Sequence, residues 1–360
     1  MKIAIVSPVM NTVPPEKYGG IELIVAELAA GLAKRKHRVT VFCSGGSKIE
    51  GDGISRVETS PYPTRDRLEE NRRWEIDQLL TVLSRQHEFD VIHFNYEPLA
   101  LRFTFDGTEL NLLDFFTTPV VLTFHNITNI PENEAYYRRT HSLYRHTLIF
   151  VSENHRRPVS FFPKTKVIYN ALRIDDFPVC EDKENYLFFL GRITPVKGIL
   201  EAIAVAKKTG IPLVIAAKVD SVDRDFYEKT VKPKIDGKLI KYVGEVDFAQ
   251  KVDYLKKTRC LLFPILWEEP FGLVMAEALA CGTPVVAFRR GSVPEIVKDG
   301  VNGYVVDTVD EMTEAVKKLD VISSSECRKS VEKRFYLDRM VNEYEELFRK
   351  VYKKAESKKF

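Results

Sequence analysis

The stretch Leu262-Phe-Pro-Ile-Leu-Trp-Glu-Glu-Pro-Phe-Gly-Leu-Val-Met-Ala-Glu-Ala-Leu-Ala-Cys-Gly-Thr-Pro-Val-Val-Ala287 decides how the chain is read. It opens as a short apolar strand and turns through an acidic segment to Pro270. A helix is expected from about Phe271, then Gly282 and a second apolar strand. The helix is apolar almost all round (Leu273, Val274, Met275, Ala276, Ala278, Leu279, Ala280), so it belongs inside a domain. Glu277 nevertheless sits in its middle, and a buried carboxylate needs a partner or a ligand. Glu269 stands just before the helix, where unpaired backbone N–H groups and the helix dipole favour an anion. At about 1.5 Å of rise per residue, the two carboxylates lie on the order of 10 Å apart along the axis. That frame fits a nucleotide-diphosphate sugar, with its pyrophosphate at the helix N-terminus. It equally fits a capping Glu269 and a Glu277 salt-bridged inside the domain.

Glu269-Pro-Phe-Gly-Leu-Val-Met-Ala-Glu277 and the following Ala-Leu-Ala-Cys-Gly-Thr-Pro-Val-Val-Ala resemble the signature of the retaining glycosyltransferases of family four, the glycogen synthase and mannosyltransferase group. The resemblance implies an α/β chain with the GT-B fold, two Rossmann-like, doubly wound parallel-sheet domains facing a cleft. It implies that Glu269 contacts the donor sugar and that Glu277 binds the ribose hydroxyls. The backbone of Phe271, Gly272 and Leu273 would then meet the donor phosphates.

The totals agree with an ordinary soluble globular protein. The 360 residues have room for two domains, with 29% charged and 44% hydrophobic residues. A net charge of +3 is too small to argue for nucleic acid, and no nucleic-acid motif appears. The five cysteines (Cys43, Cys180, Cys260, Cys281, Cys327) are odd in number and scattered, which argues for a reducing compartment and against a zinc site. Met1–Ser7 reads as a first strand rather than a signal peptide, and no apolar run approaches the roughly 20 residues needed to span a bilayer. A cytoplasmic location is therefore expected.

Strand-like runs alternate with amphipathic stretches along the whole chain, the pattern of parallel α/β sheets. Ile3–Val6 is followed by Gly19-Gly20 and a helix over about 21–36. Two glycines between strand and helix suit a phosphate or a plain turn, and the third glycine of the dinucleotide fingerprint is missing. By the resemblance, Gly19 and Gly20 face the donor diphosphate. Arg65, Arg67, Arg72 and Arg73 open a charged helix near 65–87; they read as a solvated face, with an anionic acceptor or peripheral contact with a membrane surface as the alternative.

Two strands end at polar residues, Asp90–Phe94 before Asn95, Tyr96 and Glu97, and Pro119–Phe124 before His125. Ligands of open α/β sheets bind beyond such strand ends. His93 and Glu97 are candidate acceptor contacts. His125 falls where the family carries a His that touches the donor sugar and is counted with the catalytic set. Asn170-Ala-Leu-Arg-Ile-Asp-Asp-Phe177 resembles the family's junction segment, with Ala171 in place of glycine. Asp175 and Asp176 read as hinge residues, and residues 178–185 as the linker.

The second half repeats strand, glycine turn and helix as Tyr186–Leu190, then Gly191-Arg-Ile-Thr-Pro-Val-Lys-Gly198. Arg192 and Lys197 offer a planar fork and a point charge, a pair suited to a diphosphate whose charge grows as it leaves. The family has this loop, usually with Glu just before the Lys; here that place is Val196. Asp223-Arg-Asp225 reads as surface rather than as a metal site. Gly291-Ser-Val-Pro-Glu295 and Asp299-Gly-Val-Asn-Gly303 also match the family, and Met340, Tyr344, Leu347 and Val351 recur at helical spacing.

The expected organisation is an acceptor-binding domain over 1–172, a donor-binding domain over 173–335, and a final helix over 336–360 crossing back to the first. The expected activity moves a hexose from a nucleotide-diphosphate sugar of the UDP-glucose or GDP-mannose type to a hydroxyl, with retention and with no metal or other cofactor. The acceptor is a sugar, a lipid-linked sugar or a small molecule. Two rivals share the fold: a nucleotide-sugar 2-epimerase, and a non-catalytic sugar-nucleotide-binding protein.

Overall fold

The computed structural model describes residues 1–357 except 18, 65–66, 97–101, 106–107 and 127–141. It divides into two units, Met1–Asn170 with Leu337–Phe360, and Ala171–Tyr336. Each unit is built on a parallel sheet whose central strands are buried on both faces, which explains their unbroken apolar runs.

In the first unit, β1 (Lys2–Val6), β2 (Arg38–Ser44), β3 (Ile54–Ser60) and β4 (Val91–Phe94) enter the sheet. A hairpin of β5 (Arg102–Phe105) and β6 (Thr108–Asn111) stands apart from it. Then β7 (Val120–Phe124), β8 (Thr147–Phe150) and β9 (Thr165–Val167) complete the order β3-β2-β1-β4-β7-β8-β9. Helices α1 (Gly20–Lys34) and α2 (Leu68–Ser84) flank it.

The C-terminal helix Leu337–Glu356 belongs to this unit. It buries Met340, Tyr344 and Leu347, three of the four positions that the helical spacing marked, together with Val341 and Phe348, while Val351 is half-buried. Gly31 makes its seat on α1: a Cβ there would lie 2.4 Å from Val341 Cγ2. Arg35 and His37 both reach Glu345 at 3.0 Å, and Arg339 donates to the carbonyl of Tyr169 at 2.6 Å.

The second unit contains β10 (Glu184–Arg192), β11 (Leu213–Lys218), β12 (Ile240–Gly244), β13 (Thr258–Phe263), β14 (Val285–Phe288) and β15 (Gly303–Val306), ordered β12-β11-β10-β13-β14-β15. Its helices are α3 (Ile199–Thr209), α4 (Phe248–Lys257), α5 (Leu273–Ala280), α6 (Val309–Lys317) and α7 (Ser324–Glu332). Strand order reverses between β10 and β13, and crevices at such reversals are where open α/β sheets hold ligands. Arg192 closes β10, and the loops leaving these two strands carry Lys197 and Glu269.

No helix among the described residues is long and apolar enough to cross a membrane. The five cysteines are unpaired.

Candidate functional site

β10 runs on through Gly191 and ends at Arg192, two residues later than the apolar run suggests. Arg192 Nη1 lies 3.2 Å from Asp220 Oδ2, just beyond β11, and Lys218 approaches the other Asp220 oxygen at 3.3 Å. Asp220, unremarked in the sequence, thus orients the guanidinium at the strand ends.

Beyond Arg192 the chain makes a tight turn over Pro195–Lys197 and enters α3 from Gly198. Gly198 has φ +74°, and a Cβ there would sit 1.8 Å from the Pro264 carbonyl oxygen. Only glycine permits this approach. The Leu266 N–H donates to the Val196 carbonyl at 2.9 Å, so the loops after β10 and β13 are laced together.

The lacing brings Lys197 to Glu269: Nζ lies 2.6 Å from Oε2, with the side chains 13% and 12% exposed. Trp267 Nε1 donates to the same oxygen at 3.0 Å, and the ammonium stands 5.2 Å from the Trp267 ring centroid. Charge-assisted hydrogen bonds this far from water are strong and directional.

From the other side the turn is held by the loop after β14. The Gly291 N–H donates to Glu268 Oε2 at 2.7 Å, the Ser292 N–H to the Glu269 carbonyl at 2.9 Å, and Ser292 Oγ to the Phe271 carbonyl at 2.7 Å. Phe271 is buried edge-on against Phe335, with centroids 5.3 Å apart. The side chain therefore anchors the turn. Helix α5 starts at Leu273 rather than at Phe271, after Gly272 in the left-handed region at φ +73°.

One turn into α5, Glu277 is 3% exposed. Lys251 of α4 lies 2.6 Å from its Oε1 and packs its ammonium 5.0 Å from the Phe248 ring and 5.8 Å from Phe177. Asp247 and Gln250 form a reciprocal cap at the start of α4, which fixes the first turn that carries Lys251. Both carboxylates of the motif are thus lysine-held.

The first unit positions the other candidates. Gly19 directly precedes α1 and Gly20 opens it; a Cβ on Gly19 would meet Pro15 Cβ at 2.6 Å, so the glycine serves a tightly packed loop. His93 departs from its expected part. It is fully buried, its Nε2 is 2.7 Å from Thr123 Oγ1, and its ring lies 5.0 Å from Tyr344 and 5.4 Å from Phe348 of the C-terminal helix. Burial, and next the neighbouring His125, push its imidazole down to about 3. A neutral side chain in that interior is a core residue and not an acceptor contact. His125 is half-buried at the end of β7, and burial lowers it to about 4. Glu97 and Arg65 lie outside the described residues. Arg72 and Arg73 are exposed on α2, and Arg67 stacks over Tyr62 at 4.2 Å. Asp225 is exposed and paired with Lys229 at 2.6 Å, as a surface reading of that segment requires.

Residues 173–337 match the family described as glycosyl transferases group 1, and residues 18–176 match glycosyltransferase family 4. The chain belongs to the GT-B group 1 glycosyltransferases of family four. An uncharacterized protein of the cps region of Klebsiella pneumoniae is 31% identical over 52% of this chain and 55% of its own length. An uncharacterized glycosyltransferase of Methanocaldococcus jannaschii is 28% identical over 84% of each chain. AviGT4, a glycosyltransferase involved in avilamycin A biosynthesis, superposes with a TM-score of 0.69 at 24% identity, over 98% of both chains. Anabaena HepE in complex with UDP-glucose superposes with a TM-score of 0.73 at 18% identity, over 97% of this chain and 100% of that one. The two superpositions show a shared fold.

For this family-four chain, Asp220, Lys251 and Trp267 are residues of the candidate site that the sequence did not single out. Lys251 offered no local signal, because its partner is 26 residues away on another helix. Trp267 stands two residues before Glu269 and is one of only two tryptophans, which is the mark that could have drawn notice.

Proposed function

We propose that this chain is a retaining, metal-independent hexosyltransferase that moves a hexose from a nucleotide-diphosphate sugar to an acceptor hydroxyl. The observation that carries the reading is one arrangement in the second unit. Two lysine-held carboxylates, Glu269 and Glu277, bracket the N-terminus of the buried helix α5 where the strand order reverses. In this reading the diphosphate takes the helix N-terminus. Sugar hydroxyls donate to Glu269 and ribose hydroxyls to Glu277. Arg192 and Lys197 offset the charge that grows on the leaving diphosphate. HepE, with its bound UDP-glucose, supports a donor of this class.

The proposed course is front-face. The bond from the anomeric carbon to the diphosphate oxygen breaks, and the bond to the acceptor oxygen forms on the same face. The acceptor proton passes to the departing phosphate. Glu269, held by Lys197 and Trp267, serves as an acceptor for sugar hydroxyls in this scheme and not as a nucleophile. A sugar, lipid-linked sugar or small molecule is the proposed acceptor, and a cytoplasmic location accords with free cysteines.

Calorimetric titration with UDP, GDP, ADP and their glucose, mannose and N-acetylglucosamine conjugates, with and without EDTA, tests the donor site. Binding of one nucleotide family that is indifferent to EDTA is expected. Absence of binding to all of them overturns the reading. Incubation with the bound sugar nucleotide alone, followed by NMR, separates transfer from 2-epimerisation, because an epimerase interconverts its substrate with no acceptor present.

A further inference from the structure

Glu269 Oε2 receives two donors of different kinds, the Lys197 ammonium at 2.6 Å and the Trp267 indole N–H at 3.0 Å. Glu269 Oε1 has no hydrogen-bond partner among the described residues. The same ammonium sits 5.2 Å from the Trp267 ring, so one tryptophan contacts both members of the pair. Lys197 cannot serve Glu269 and a diphosphate equally: its long stem lets the ammonium move toward the greater negative charge. Once it moves, Glu269 keeps a single neutral donor. An indole N–H cannot be deprotonated or rotated away without moving the whole ring, and it accepts nothing.

We infer that Trp267 is a positioning residue: it holds the Glu269 carboxylate aimed at the donor sugar after Lys197 transfers to the diphosphate. Oε1 is then the oxygen presented to the sugar hydroxyls. This inference rests on the donor-site reading above. It adds that recognition of the diphosphate and recognition of the sugar meet at one side chain. Trp267 itself touches neither the phosphate nor the reacting atoms.

The test uses two variants and two probes, UDP and UDP-glucose, or the corresponding pair for whichever nucleotide the wild-type protein binds. In Trp267→Phe the ring face under Lys197 remains while the N–H is lost. UDP affinity is expected to stay within about twofold, while the extra affinity that the sugar contributes falls roughly tenfold, the size of a hydrogen bond to a charged group. A merely structural role would weaken both ligands alike. In Trp74→Phe, Trp267 is the sole tryptophan, and UDP alone is expected to shift its emission as the ammonium leaves the ring. The inference is overturned if Trp267→Phe retains the full sugar increment, or if Trp267 emission stays unchanged at saturating UDP. Lack of binding to the wild-type protein overturns the donor reading instead, and this inference with it.

Discussion

Lys251 and Glu277 meet at 2.6 Å across two helices, with the carboxylate 4% and the lysine 17% exposed. Removing one partner of such a pair strands the other in a poor solvent, a cost of about 3–5 kcal/mol. Lys251→Met is therefore expected to lower the stability of the second unit by about that much in urea unfolding. It should also weaken nucleotide binding, because Glu277 then loses both its charge balance and its orientation. The double variant Lys251→Met/Glu277→Leu should regain most of the stability, since replacing both charges with apolar groups is often neutral or better. Nucleotide affinity should stay low. Recovery of binding in the double variant would remove Glu277 from the donor site.

Gly291 allows the loop after β14 to seat on the turn that carries Glu269. Its φ is +53°, and a Cβ would lie 2.2 Å from the Glu269 carbonyl oxygen and 2.3 Å from the Glu269 nitrogen. Gly300 has a similar φ of +70° but nothing within 4 Å of its Cβ position. Gly300→Ala should cost only the left-handed backbone penalty of about 1–2 kcal/mol. Gly291→Ala should cost more than that and lower donor affinity as well, because the Glu268–Pro270 backbone must move. Equal unfolding midpoints for the two variants would mean that the turn adapts freely.

The parallel architecture was legible because central strands buried on both faces read as unbroken apolar runs, as in Ile3–Val6 and Val285–Phe288. The outer strand β3, Ile54–Ser60, passed unnoticed because three of its seven residues are exposed and its sequence, Ile-Ser-Arg-Val-Glu-Thr-Ser, has no such run. At the site, Glu269 and Glu277 stood out as acids in an apolar setting. What holds them did not, because Lys197, Lys251 and Trp267 reach them through the tertiary fold. His93 misled for the opposite reason. Its place near a strand end suggested a ligand contact, and only the packing of the C-terminal helix, 251 residues further on at Tyr344, turned it into core.

That helix lies against α1 through a contact in which glycine leaves no spare room. A Cβ on Gly31 would come within 2.4 Å of Val341 Cγ2 and 3.1 Å of Cγ1. Gly31→Ala is expected to destabilise the first unit by about 1–3 kcal/mol through overpacking, even though alanine has the better helix propensity. Adding Val341→Ala should return part of that loss by vacating the space. A double-mutant cycle in urea measures the coupling, and additive effects would show that the two side chains do not contend for the same volume.

His93 makes the acid response of the first unit specific. Burial holds its imidazole at about 3 in the folded chain, against about 6.5 when unfolded. Between these values the unfolded chain binds a proton that the folded chain does not, so stability is complete above about pH 6.5 and is lost as pH falls towards 3. The slope from this one group is about 1.4 kcal/mol per pH unit. His93→Gln keeps a side chain able to hydrogen-bond Thr123 and removes the titration. Its stability, measured by urea unfolding from pH 7 to pH 4, should fall less steeply than that of the wild-type protein by about that slope. His125, His146 and His155 are likewise held low by burial and remain in both proteins, so the difference isolates His93. Parallel pH profiles would place a protonated His93 in the folded interior and contradict the packing against Tyr344 and Phe348.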